Sequence, residues 1–123
     1  MTPSQLFSHI SQAVPSFAPV LAEHLHDNGE LLPHPLMSEL LRFVGAQLNQ
    51  PGHTPVEVLT ILGILEAEVS GGDADTENAI AVSFLEDLEA APFFSDLYAL
   101  LGPKLLQAHA PFAWHPSHSQ NAV

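Results

Sequence analysis

Apolar residues recur along this chain every three or four positions, and proline or glycine closes each run. Thr2, Pro3 and Gln5 read as a helix start: a threonine cap, a proline in the first turn and a glutamine that completes a capping box. Leu6, Phe7, Ile10 and Val14 form the stripe that follows, and Pro15 ends it. A second helix is expected from about Ser16, burying Phe17, Val20, Leu21, His24 and Leu25 and stopping at Asn28 and Gly29. After a loop from Glu30 to His34, Pro35 opens a third, with Met37, Leu40, Leu41, Val44 and Leu48 inward and Gln50, Pro51 and Gly52 as its stop.

Thr54, Pro55 and Glu57 give the best-formed start signal, for a fourth helix that is apolar nearly all round from Val58 to Leu65. Such a helix is expected at the centre of the domain, with Gly63 as a point of close packing. Ser70, Gly71 and Gly72 end it. A fifth helix from Asp75 or Thr76 carries Ile80, Ala81, Phe84, Leu85 and Leu88 inward and stops at Pro92. A sixth covers Ser95 to Leu101, and Gly102 with Pro103 breaks it before a last piece from Lys104 to His109. No alternating strand pattern occurs. The fold class is therefore all-α: a compact single-domain bundle of five to six helices over residues 1–110, followed by a mobile tail, 111–123, containing His and Pro.

Charge narrows the partners. The chain has fourteen acidic and two basic residues, a net charge of -12 on 123 residues. No cation lies between Arg42 and Lys104, whereas ten carboxylates do. Such a field disfavours nucleic acid and anionic membranes and steers basic protein surfaces inward. Cysteine is absent, which removes disulfides and thiolate chemistry and suits a reducing cytoplasm. There is no secretory signal pattern and no apolar run long enough to span a bilayer, so a soluble cytoplasmic protein is expected.

Eight histidines raise the question of metal. Glu23 and His26 have the Glu-x-x-His spacing used by carboxylate-bridged metal bundles, and Glu39 or Glu66 would be a third ligand. Those bundles need the motif on two helices, and here it occurs once, so a helical metalloprotein is the alternative reading. His24, on the apolar stripe, is expected to be a hydrogen-bonded core residue. No serine sits in a nucleophile elbow and no glycine-rich loop suits phosphate, so neither an enzyme nor a cofactor is expected. The segment from Asp73 to Glu77 lacks the glycine and closing glutamate of a calcium loop.

Two fragments carry a resemblance: Leu31, Leu32, Pro33 and His34 before a helix, and the run Asn78 to Leu88, which contains Ser83, Phe84, Leu85 and Glu86. With the Ile/Leu-rich helix between them, they resemble a family of small acidic all-helical bacterial proteins of uncharacterised function. The second fragment is also similar to helices of immunity proteins that neutralise polymorphic toxins. The resemblance spans roughly residues 30 to 101 and implies a single helical domain that works by binding a protein; His34, Asn78 and Glu86 match its polar positions. The expected function is thus a non-enzymatic module, monomeric or homodimeric, that blocks the cationic cleft of a toxin. Asp73, Asp75, Glu77, Glu86, Asp87 and Glu89 would be its contact residues, on a face roughly 15–20 Å long at 1.5 Å per residue.

Overall fold

Thr2 caps the first helix as its sequence requires. In the computed structural model, which describes residues 1–49 and 55–112, its side chain accepts from the Gln5 amide while Gln5 returns a bond to the Thr2 amide. Helix α1 runs Pro3–Ala13. A 3₁₀ turn, Pro15–Phe17, leads into α2, Ala18–Asn28, so the second helix starts two residues later than expected. Gly29 ends it at φ 71°, the left-handed conformation that glycine adopts without steric penalty.

Helix α3, Pro33–Leu48, starts earlier than Pro35. Pro33 and Pro35 both fit its first turn, where their missing N–H groups have no helical acceptor to lose, and His34 therefore stands on a helix rather than in a loop. Helix α4, Val56–Glu68, follows; its expected start at Thr54 lies outside the described residues, and so does the stop expected for α3 at 50–52. Helix α5, Ala74–Ile80, continues without a break into a π-helical turn, Ala81–Glu86. Short helices α6, Phe94–Tyr98, and α7, Pro103–His109, complete the fold, and a 3₁₀ turn, Ala110–Phe112, takes up the first two residues assigned to the tail. The described residues contain no strand.

The core draws Leu6, Phe7 and Ile10 from α1, Leu36, Met37, Leu40 and Val44 from α3, Ile61 and Leu65 from α4, and Ile80, Phe84 and Leu85 from α5 and the π turn. Phe17 joins the ends, stacked on Phe7 at 6.4 Å and edge-on to Phe43 at 5.3 Å. The central helix is α3, which touches α2, α4, α5, α6 and the π turn. Helix α4 is not central. Val56 is 58% exposed, Leu59 is 49% exposed, and a Cβ on Gly63 would meet nothing within 4 Å, so the close packing expected there does not occur. Leu25 on α2 is also exposed rather than buried.

What α4 does supply is carboxylates that tie down other elements. Glu66 accepts from the backbone N–H groups of Lys104 at 2.8 Å and Leu105 at 3.0 Å, giving α7 an N-terminal cap from a distant helix. A Cβ on Gly102 would lie 2.6 Å from the Glu66 carboxyl group, so a side chain there would push this cap aside. Glu68 binds the Met1 ammonium at 2.6 Å, and Glu57 accepts from the Ser16 hydroxyl.

Candidate functional site

A cluster of polar side chains lies where α3 packs on the π turn. His34, in the first turn of α3, places Nδ1 2.7 Å from the Ser83 hydroxyl oxygen. The Asn78 amide nitrogen stands 3.4 Å from the other ring nitrogen. With that nitrogen accepting, Nδ1 carries the hydrogen and donates it to Ser83. One turn along α3, the Ser38 hydroxyl reaches the Asp87 carboxylate at 3.1 Å and the Ser83 carbonyl at 3.4 Å. The five side chains make a polar seam along a helix–helix contact that is otherwise apolar.

The π turn explains the placement of this seam. Its wider winding brings Ser83, Phe84 and Leu85 inward as three consecutive buried residues, after which Glu86 and Asp87 emerge together on the surface. They border a groove of about 550 Å³. Ser38, Leu41 and Arg42 of α3 line it together with Glu86, Asp87, Ala91 and Phe93. Phe93 sits so closely on Gly45 that a Cβ there would enter the ring.

As chemistry, the seam is a poor nucleophile site. A serine attacks when a histidine nitrogen takes its proton, and with Nε2 accepting from Asn78 the Nδ1 hydrogen would instead point at Ser83. Ser83 is also buried, and neither it nor His34 borders the groove.

The six carboxylates read as one contact face are divided among different tasks. Glu86 and Asp87 come together at the groove. Asp75 is exposed near the start of α5, and Glu77 turns toward a second groove, of about 430 Å³, beside Ala108 and Phe112. Asp73 is the N-cap of α5: Thr76 donates its backbone N–H to the carboxylate at 2.9 Å, which holds the Asp73 carboxyl below the ordinary aspartate range. Glu89 is paired with His109 at 2.8 Å.

Among the described residues two histidines, His24 and His109, are buried, and each has a glutamate partner. His24 lies within hydrogen-bond distance of Glu39 through Nδ1 at 2.8 Å, and Nε2 accepts the Leu32 N–H at 3.0 Å. The Leu32 amide therefore fixes the tautomer, with the hydrogen on Nδ1 directed to Glu39, as a core histidine requires. His109 packs against Phe94 and Tyr98, and its Nδ1 has no hydrogen-bond partner among the described residues. Glu23 and His26 are both exposed; the two carboxylates named as further metal ligands, Glu39 and Glu66, serve His24 and the α7 cap. Among the described residues no three His, Cys, Asp or Glu side chains gather as a metal set.

Sequence reasoning reached His34, Asn78, Glu86 and Asp87. It missed Ser38, Arg42 and Ser83. His34 and Ser83 are 49 positions apart, so only the packing of α3 on the π turn reveals their contact. For Ser38 and Arg42 a signal was available, since they stand four apart on the polar edge of the α3 stripe.

An all-helical fold of this size, with a polar seam beside a charged groove, defines a class but no reaction. The chain belongs to the family described as Domain of unknown function (DUF7674), whose model matches residues 7–115. No curated protein and no solved structure matches it. No helix among the described residues is long and apolar enough to cross a membrane.

Proposed function

We propose that this protein is a non-enzymatic binding module for a basic protein, engaged through the groove that Glu86 and Asp87 border. The supporting observation is the pairing of two adjacent exposed carboxylates with an apolar floor at Leu41, Ala91 and Phe93, on a chain of net charge -12. Apolar contact supplies affinity, and the surrounding field supplies orientation and speed of encounter. The concrete form is an inhibitor that covers the cationic cleft of a secreted toxin, in keeping with the resemblance of the Asn78 to Leu88 segment to immunity proteins.

The test uses a partner captured from the native cell and then purified. Replacing Glu86→Lys and Asp87→Lys together should slow association by about tenfold or more at low ionic strength and flatten its salt dependence. Equal association rates for the variant and the parent protein at every salt concentration would overturn the reading.

A further inference from the structure

Arg42 lines the same groove as Glu86 and Asp87. It is one of only two basic side chains in the chain, yet among the described residues it forms no ion pair with either carboxylate. Among the described residues Glu86 likewise has no ion pair, and Asp87 accepts the Ser38 hydroxyl. Unlike charges that face one cavity without meeting suit an occupant bearing both signs.

We propose that the groove recognises the carboxyl-terminal residue of a polypeptide when that residue is arginine or lysine. The terminal α-carboxylate pairs with Arg42, the cationic side-chain head pairs with Glu86 and Asp87, and the methylene stem lies on Leu41 and Phe93. Occupants of a single charge sign leave a charge unanswered. An internal basic residue would set its cation near Arg42 with no anion to neutralise that guanidinium. A phosphate or other simple anion would face two carboxylates. A terminal basic residue satisfies both signs, and a guanidinium head adds the forked geometry that suits paired carboxylates. The tight seat of Phe93 on Gly45 fixes the floor in advance, so little ordering is needed on binding.

This inference rests on the protein-binding reading and adds how the partner chain ends. Its test needs only the intact protein and short peptides: one of alanine, leucine and a terminal arginine, its carboxyl-terminal amide, and its citrulline analogue, which keeps the shape of arginine without the charge. Titration to about 5 mM followed by amide NMR is suited to single-residue recognition. The free-carboxylate arginine peptide should shift the amides of Leu41, Arg42 and Phe93, and the amide and citrulline forms should each bind about tenfold more weakly. Arg42→Gln should abolish the distinction between carboxylate and amide, while Glu86→Gln with Asp87→Asn should abolish that between arginine and citrulline. All three side chains are exposed, so the variants leave the core intact. Equal binding of carboxylate and amide peptides, or no shifts at the groove, overturns the proposal. If the peptides fail while partner binding still responds to charge reversal at 86 and 87, only the terminal-residue inference falls.

Discussion

Two glycines on adjacent helices carry opposite instructions. Gly45 is buried on α3 under the Phe93 ring, and any side chain there must displace that ring. Gly45→Ala should destabilise the fold by about 1–3 kcal/mol, the usual range for overpacking, and the urea midpoint would show it. Gly63 on α4 is exposed to open space, so an added methyl group meets nothing and the helix gains propensity. Gly63→Ala should raise stability by about 0.5–1 kcal/mol; a loss would show that an unseen neighbour covers this face. The sequence favoured close packing at Gly63 because its surroundings are apolar, but apolar neighbours do not say which side of a helix is covered. His24 was readable, since a histidine in phase with Phe17, Val20 and Leu21 must find partners inside.

Helix ends were legible wherever a local chemical device sets them. The Thr2 capping box, Gly29, and the break at Gly102 and Pro103 stand where the residues placed them. The start of α3 was misplaced because two prolines competed for one first turn, and the π turn was not legible because Ile80, Phe84 and Leu88 fit an ordinary helical stripe equally well. At α5 the cap is titratable. The Asp73 carboxyl is held low, chiefly by the Thr76 amide, so its support for the helix is complete above the ordinary aspartate value and is lost as pH falls through the lower folded-state value. The stability difference between the parent protein and Asp73→Asn should accordingly shrink below about pH 4. A difference that stays constant through acid unfolding would mean that the carboxylate charge has no part in the cap.

For the molecule as a whole, charge opposes folding. Fourteen acidic side chains stand against two basic ones, and among the described residues the Met1 ammonium with Glu68 is the one ion pair that needs no protonated histidine. Screening should relieve this self-repulsion, so the melting temperature at pH 7 should rise as sodium chloride increases from about 10 mM to about 0.5 M. A fall would mean that attractive pairs dominate. The sequence showed the size of this charge but not its division, because helix phase alone does not reveal that Asp73 caps, that Glu89 pairs with a buried histidine, or that Glu77 and Asp87 lean toward different grooves. A single surplus residue is wound into 81–86. Each residue turns an α-helix by about 100° and a π-helix by less, so five residues in ordinary winding sweep about the same angle as the 6 in this turn. Removing one residue here, for instance the exposed Val82, should therefore let the winding tighten while Asp87 stays at the groove and Leu88 in the core. The same deletion in the ordinary α-helical part of α3 has no slack to draw on and would turn the residues beyond it out of the core.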